Sequence, residues 1–190
     1  MAQSNRLEGL RIAILATDGV EEVELTDPKE ALEEAGGKTE VIAPHSGPIQ
    51  GFRHHDKANR IEVQGTLDRA DPDRYDAVLL PGGALNADAL RADPAAQDFV
   101  RRIDEARKPI AVICHGPWLL ISAGLVRGRR LTSFFTIQDD VRNAGGQWLD
   151  QEMVRDRNWV SSRSPEDLPA FDRAMIELFA ESGARTTGSR

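Results

Sequence analysis

The stretch Pro109-Ile-Ala-Val-Ile-Cys-His-Gly-Pro-Trp118 joins a short apolar run to the start of a helix. Ile110 to Ile113 has the length and branching of a buried strand, and a glycine followed by Pro117 is typical of a turn that delivers proline to the first helical position. The one cysteine of the chain, Cys114, therefore lies at a predicted strand-to-helix elbow. An elbow of this kind holds a nucleophile at the carboxyl end of a sheet, beside backbone N–H groups that favour a thiolate.

Strand candidates alternate with helical segments along the chain. Leu10 to Ala16, Lys38 to Ala43 and Tyr75 to Leu80 are apolar runs of strand length, with helical stretches between them. This alternation predicts right-handed crossovers and a mainly parallel sheet covered on both faces. We predict an α/β, doubly wound sandwich that forms a single domain over residues 1–190.

Four local features carry further predictions. Pro28 is expected to kink or divide the acidic helix of residues 21–35. Residues 44–59 are interpreted as a polar loop with short β pieces, and residues 183–190 as a polar tail. Ser164, followed by a proline, is expected to cap the last helix.

The composition restricts the partners and the compartment. With 24 basic and 31 acidic residues the net charge is −7, which argues against a specific nucleic-acid sequence or an anionic membrane as partner. No apolar stretch approaches the length of a membrane span, and the first residues lack a secretory signal, so we expect a cytoplasmic protein. A single cysteine excludes an intrachain disulfide framework and a multi-cysteine metal site.

Three segments that follow predicted strands should converge at one edge of the sheet. They are Asp18 to Glu24, Pro81 to Asp88, and Cys114 to Trp118, and ligands of open α/β sheets bind at that edge. Glycines let the backbone approach a substrate and point N–H groups at a developing oxyanion. The candidates for this oxyanion or substrate binding are Gly82, Gly83 and Gly116, with the N–H of His115 as a further donor.

The first of these segments supplies a carboxyl group for the cysteine. Glu21 and Glu24 are three residues apart and share one helix face, so either could reach the thiol. Two acidic groups in contact must share a proton or repel each other, which predicts a protonated glutamate donating to sulfur and a thiolate that persists near neutral pH. His115 is the candidate general acid and base, with a structural role as the alternative.

No metal site is predicted. His45, His54 and His55 lie in the polar loop without the spacing of carboxylates or cysteine that zinc requires.

Four motifs in this order resemble the ThiJ/PfpI superfamily, in particular its PfpI-like (intracellular protease I-like) branch of general stress proteins. The resemblance covers about residues 10 to 180, and the motifs are Glu21-Glu-Val-Glu-Leu25, Leu79-Leu-Pro-Gly-Gly83, Ala111-Val-Ile-Cys-His-Gly-Pro117 and Asn158-Trp-Val-Ser-Ser-Arg163.

The resemblance implies a flavodoxin-like, three-layer sandwich of the class I glutamine amidotransferase type. It implies a Cys114 nucleophile, the adjacent His115, and a first-helix glutamate four residues before a proline, which is Glu24, with Glu21 as second choice. Relatives form dimers and in the PfpI branch hexamers, so the implied partner is a second copy of the chain.

Two positions depart from the family pattern. Some relatives complete a Cys-His-Glu triad with a glutamate from a neighbouring subunit shortly after Pro-Gly-Gly, whereas this chain has Ala84-Leu-Asn-Ala-Asp88 there. The third acid is missing unless Asp88 of a partner subunit substitutes for it. Phe134 stands where such relatives carry a tyrosine, which removes a hydroxyl donor.

The resulting hypothesis is a cytoplasmic stress-response cysteine hydrolase that acts on glyoxal or methylglyoxal adducts of small molecules or of glycated macromolecules. This deglycase or glyoxalase-like chemistry needs no cofactor and no metal. The alternatives are an intracellular cysteine peptidase with a site shared between subunits, and a non-enzymatic redox sensor or chaperone-like stress protein that acts through oxidation of Cys114.

Overall fold

The computed structural model describes residues 5–187. Within that range the strands are β1 (Arg11–Leu15), β2 (Val20–Glu21), β3 (Lys38–Ala43), β4 (Ile49–Arg53), β5 (Asp56–Ile61), β6 (Gly65–Thr66), β7 (Ala77–Leu80), β8 (Ile110–Ile113), β9 (Arg130–Leu131), β10 (Gln147–Trp148), β11 (Val154–Asp156) and β12 (Trp159–Ser162). The α-helices are α1 (Glu22–Glu34), α2 (Ala84–Arg91), α3 (Pro94–Glu105), α4 (Pro117–Ser122), α5 (Gln138–Asn143) and α6 (Leu168–Thr187).

A mostly parallel sheet forms the centre of the molecule. Among the described residues it has seven strands in the order β11-β12-β8-β7-β1-β3-β6. Every neighbouring pair is parallel except β11 with β12, which form an antiparallel hairpin at one edge. The predicted α/β class with a mainly parallel sheet is therefore confirmed.

Helices cover the sheet on both faces, because successive residues of each strand point to opposite sides. In β7, Leu79 belongs to the cluster formed with α1 and α6, which includes Phe171. Its neighbour Val78 belongs to the opposite cluster, where Phe99 of α3 packs. The strands β7 and β8 are buried along their whole length, as expected for the middle of a doubly covered sheet.

The structure corrects the prediction that Pro28 divides the first helix. Pro28 lies inside α1, which continues as one element through it. A proline has no N–H, so the carbonyl of Glu24, four residues earlier, lacks its usual intrahelical donor. The helix keeps its form because Leu25, Pro28 and Leu32 are buried against the rest of the protein.

The predicted cap of the last helix is also wrong. Ser164 makes no side-chain cap, and a 3-10 turn at Pro165–Asp167 precedes α6. Asp167 fixes this turn instead, because its carboxylate accepts from the backbone N–H of Arg163 at 3.1 Å and from the guanidinium at 2.8 Å.

Two polar segments contain regular secondary structure, as expected from the short β pieces predicted in residues 44–59 and contrary to the tail predicted for residues 183–190. Residues 44–59 contain β4 and the first part of β5, which pair as an antiparallel hairpin beside β2. The predicted tail of residues 183–190 is helical as far as Thr187 in α6, and its last three residues lie outside the described part. Among the described residues no helix has the length and apolar character needed to cross a membrane.

Candidate active site

The nucleophile candidate lies at the turn between β8 and α4. Cys114 follows the last residue of β8 with φ of 61°, and Pro117 opens α4. A positive φ is uncommon for a residue with a side chain and strains the backbone. Two hydrogen bonds hold it: the N–H of Cys114 donates to the carbonyl of Ser162 at 3.1 Å, and its own carbonyl accepts from the N–H of Phe134 at 2.9 Å.

Glu24 contacts the thiol from the first turn of α1. The side chain is fully buried, and the carboxyl group lies within hydrogen-bonding reach of Cys114. Its Oε2 atom accepts from the N–H of Gly82 at 2.9 Å, whereas Oε1 has no hydrogen-bond partner in the described part of the chain.

The close approach depends on the absence of a side chain at Gly82. A Cβ built there would collide with Glu24 Oε2 and would lie 3.1 Å from the sulfur of Cys114. The first glycine of Pro-Gly-Gly thus makes room for the carboxyl group and the thiol to meet.

Burial controls the protonation of this pair. It raises the pKa of Glu24 to about 8, so this carboxyl group is neutral at pH 7. Burial and the nearby Glu24 charge also raise the pKa of the Cys114 thiol. Because both groups are buried in one place, they cannot both ionise at accessible pH. The predicted protonated glutamate agrees with the structure, but a thiolate dominant at neutral pH does not. Once the pair has lost its first proton, the thiolate is the minor form, in which the remaining proton stays on Glu24.

His115 lies beside the sulfur despite being the next residue in the chain. Its Nδ1 atom is 3.2 Å from Cys114 Sγ. The ring stacks on Phe134 with centroids 4.9 Å apart and meets the edge of Trp118 at 5.2 Å. Burial lowers the pKa of His115, so the imidazole is neutral at pH 7 and able to accept a proton.

Two backbone N–H groups point at the sulfur, and they come from Gly83 and His115. Gly83 has φ of 88°, and a Cβ there would lie 2.5 Å from the backbone nitrogen of Glu21. A glycine is therefore required for this N–H to take its position.

The other glycines named as oxyanion donors do not have a free N–H. That of Gly82 donates to Glu24, and that of Gly116 donates to the carbonyl of Ile113 at 2.9 Å. Gly116 instead allows close packing, since a Cβ there would lie 2.8 Å from the carbonyl oxygen of Leu80.

Glu21 is not brought to the thiol. Its Oε2 atom accepts from the N–H of His54 at 3.0 Å, in the turn between β4 and β5. Glu21 therefore stabilises the neighbouring hairpin. Its negative charge also contributes to the raised pKa of Glu24.

Asp88 lies on α2 and is exposed. Its carboxylate has no hydrogen-bond or ion-pair partner among the described residues. Within one chain it does not complete a triad with His115.

Asn86 is a site residue that the sequence analysis missed. It is fully buried, and its Oδ1 atom accepts from the N–H of Thr17 at 2.7 Å. Its Nδ2 atom donates to the carbonyls of Gly82 at 2.9 Å and Pro81 at 3.2 Å. Asn86 ties the loop after β1 to the Pro-Gly-Gly loop, and its place one turn after those glycines was the available signal.

A buried cysteine on the elbow of a parallel sheet, in contact with a neutral carboxyl group and a neutral imidazole, defines an α/β protein with a candidate active site centred on that cysteine. The family model described as the DJ-1/PfpI family matches residues 10–178, and the chain belongs to this family. The resemblance drawn from the four motifs is thereby confirmed.

Similar proteins agree with this assignment. The chain is 43% identical over 169 residues to "Deglycase TK1284" of Thermococcus kodakarensis, covering 89% of this chain and 99% of that protein. It is 38% identical over 168 residues to "Putative cysteine protease YraA" of Bacillus subtilis, covering 88% of this chain and 97% of that protein. The crystal structure of Drosophila melanogaster DJ-1beta matches the fold with a TM-score of 0.81 at 24% identity, covering 94% of this chain and 97% of that one.

Proposed function

We propose that this protein is a cysteine hydrolase that removes adducts of glyoxal or methylglyoxal from amines or thiols. The observation that carries the proposal is the set of groups around one sulfur. Cys114 has a neutral carboxyl group, a neutral imidazole and two backbone N–H groups in contact with it. The Thermococcus kodakarensis relative named as a deglycase supports this class of substrate.

The site offers a partner for each step of such a reaction. The sulfur of Cys114 bonds to the carbon that carries the hydroxyl group and the amine or thiol of the adduct, as the bond from that carbon to nitrogen or sulfur breaks and the thiol proton passes through His115 to the departing group. A proton then moves from this carbon to the adjacent carbonyl carbon through an enediolate, which leaves a hydroxyacyl thioester on Cys114. The N–H groups of Gly83 and His115 stabilise the negative oxygen of this enediolate. One water then hydrolyses the thioester, which releases a hydroxy acid and restores the thiol of Cys114.

Glu24 tunes the nucleophile in this scheme. As a neutral acid it donates to the sulfur and stabilises the thiolate, and it adds no negative charge beside it. Substitution by glutamine keeps a hydrogen-bond donor but removes the exchangeable acid.

The peptidase alternative needs a second subunit. The Bacillus subtilis relative favours it, and the exposed carboxylate of Asp88 is free of partners in the described chain, so a neighbouring copy would have to bring it to His115. Hydrolysis of casein by the assembled protein, lost in Asp88→Asn, would identify this activity.

The decisive experiment follows the methylglyoxal adduct of N-acetyl-lysine with purified wild type, Cys114→Ala and Glu24→Gln. We expect Cys114→Ala to lose activity by at least about a hundredfold and Glu24→Gln by about tenfold or more. Glu30→Gln, an exposed glutamate of the same helix, is the matched control and should retain activity.

A second arm separates adduct hydrolysis from removal of free methylglyoxal. Adducts also dissociate spontaneously. The rate of adduct loss with the protein is therefore compared with the rate of spontaneous dissociation, which is measured while excess thiol traps the released methylglyoxal. Loss faster than this rate supports direct hydrolysis. Loss at the spontaneous rate, or full activity in Cys114→Ala, would contradict the proposal.

A further inference from the structure

A cavity of about 620 Å³ lies at the end of the sheet opposite the reactive cysteine. Pro109 and Asn158, which line it, directly precede β8 and β12, whereas Cys114 follows the far end of β8. Its volume is in the range of small-molecule sites. Its charged lining residues are Asp104, Arg107, Arg129, Arg155, Arg157 and Glu181.

Arg129 is the fixed centre of this cavity. Its side chain is 6% exposed, and its guanidinium lies 3.8 Å above the ring of Trp159. Nη2 donates to Asn158 at 2.8 Å and approaches Asp104 at 3.3 Å. Nε is buried without a hydrogen-bond partner in the described chain, and its nearest carboxylate, that of Asp156, is 3.9 Å away. A guanidinium has five N–H donors. Arg129 is therefore held in place while some of its N–H groups still lack an acceptor.

The carboxylates around the cavity are already engaged. Asp104 Oδ1 accepts from Trp159 Nε1 at 2.7 Å and from Asn158 Nδ2 at 2.9 Å, in addition to Arg129. Glu181 pairs with Arg155, whose Nη1 lies 3.0 Å from it. These contacts leave Nε of Arg129 and the side chain of Arg107 without an acceptor in the described chain.

Positive charge remains at the mouth. The side chain of Arg107 has no hydrogen-bond or ion-pair partner among the described residues, and Arg157 is 63% exposed, with its one ion pair to Asp156 at 3.5 Å. Burial lowers the pKa of Arg129. The charge of Asp104 opposes this shift, and the charge of Arg157 adds to it because the two guanidinium groups repel each other. An anion between them would relieve that repulsion.

We propose that this cavity binds the phosphate group of a small phosphorylated molecule. The planar guanidinium group of arginine donates two parallel hydrogen bonds to two oxygens of a phosphate group. A buried guanidinium that is stacked on a ring is already fixed, so it loses little conformational entropy on binding. The cavity has room for more than a bare phosphate ion, so its ligand is a phosphate monoester whose organic part occupies the remaining volume. In a protein of net charge −7, such a basic cavity is a local feature that the reaction at Cys114 does not use.

The test is calorimetric titration of the full chain at constant ionic strength, with phenyl phosphate and inorganic phosphate as probes. The variants are Arg107→Gln, Arg157→Gln and the double substitution, which leave the buried Arg129 in place. Arg69→Gln is the matched control, because Arg69 is exposed, unpaired in the described chain and outside the cavity. Cys114→Ala reports on any binding at the reactive site.

We expect saturable binding of phenyl phosphate to one site per chain, tighter than binding of inorganic phosphate. The double variant should bind at least about tenfold more weakly, and Arg69→Gln and Cys114→Ala should stay within about twofold of wild type. Wild-type affinity in the double variant would overturn the proposal. So would the absence of saturation in wild type, binding of inorganic phosphate alone, or a loss of binding in Cys114→Ala.

Discussion

Single residues decide whether the sulfur and its partners can meet. Gly82 leaves space for the carboxyl group of Glu24, Gly83 turns an N–H toward the sulfur, and the positive φ of Cys114 brings its own neighbour His115 beside it. The proposed reactivity therefore depends on close approach of the backbone as well as on the side chains.

Gly82→Ala tests this at the scale of one methyl group. The added Cβ would collide with Glu24 Oε2, so we expect a loss of stability of about 1–3 kcal/mol and a fall in kcat/KM of at least about a hundredfold. Thermal unfolding and adduct hydrolysis measure the two effects. Gly47→Ala is the control for backbone strain: its φ is 83° and a Cβ there meets nothing within 4 Å, so stability falls but activity should persist. An equal fall in kcat/KM in both variants would contradict the steric explanation.

Between elements, the loops after β1, β7 and β8 form one unit. Asn86 joins the first two loops with three hydrogen bonds. The approximate positions of the strands, the elbow and Glu24 could be predicted, because apolar runs, Gly-Pro and the motif spacing are local signals.

The rest could not be predicted because it depends on contacts distant in sequence. The sequence places Glu21 and Glu24 on the same helix face and does not distinguish which of them reaches the thiol. In the structure the N–H of His54 donates to the carboxylate of Glu21, which holds Glu21 away from the thiol. Likewise, the N–H of Gly116 donates to the carbonyl of Ile113 within its own turn, and no sequence pattern indicates this hydrogen bond.

Asn86→Ala tests the connection between the loops. It removes buried hydrogen bonds to Thr17 and Gly82, so we expect unfolding to become easier by about 1–3 kcal/mol and kcat to fall as the N–H of Gly83 loses its fixed position. Denaturant unfolding and steady-state kinetics check both effects. Asn143→Ala, an exposed control on α5, should change neither; unchanged kcat in Asn86→Ala would mean that this side chain only stabilises the fold.

The contact between α1 and α6 predicts a dependence of stability on pH. Burial, with the charge of Asp27 adding to it, raises the pKa of Asp172 to about 7. The unfolded chain ionises this group near pH 4. Between these values the folded state binds the extra proton, so stability falls as pH rises through this window.

Asp172→Asn should remove this loss of stability at high pH. Since the side chain is partly exposed, we expect a gain of about 1–2 kcal/mol at pH 8 and little change at pH 4. Urea unfolding at the two pH values measures it. An equal change in the free energy of unfolding at both pH values would show that the charge of Asp172 is not the cause.

For the whole molecule, the sheet separates two chemically different ends. The carboxyl ends of β7 and β8 hold the buried Cys114 with its neutral partners, whereas the amino ends of β8 and β12 border a basic cavity. The parallel topology that was evident from the alternation of strands and helices creates both ends. Their chemistry depends on the side chains that the loops add.

If Cys114 and Glu24 titrate as one pair, the rate at which iodoacetamide alkylates Cys114 must follow the ionisation of both groups as pH is varied. In wild type we predict that the rate rises with a midpoint about pH 8, because the singly deprotonated pair shares its remaining proton and a constant fraction of it carries the charge on sulfur. In Glu24→Gln the thiol must ionise alone, so the midpoint should move upward by about one pH unit or more. Glu30→Gln should follow the wild-type curve, whereas superimposable profiles for wild type and Glu24→Gln would contradict the shared proton.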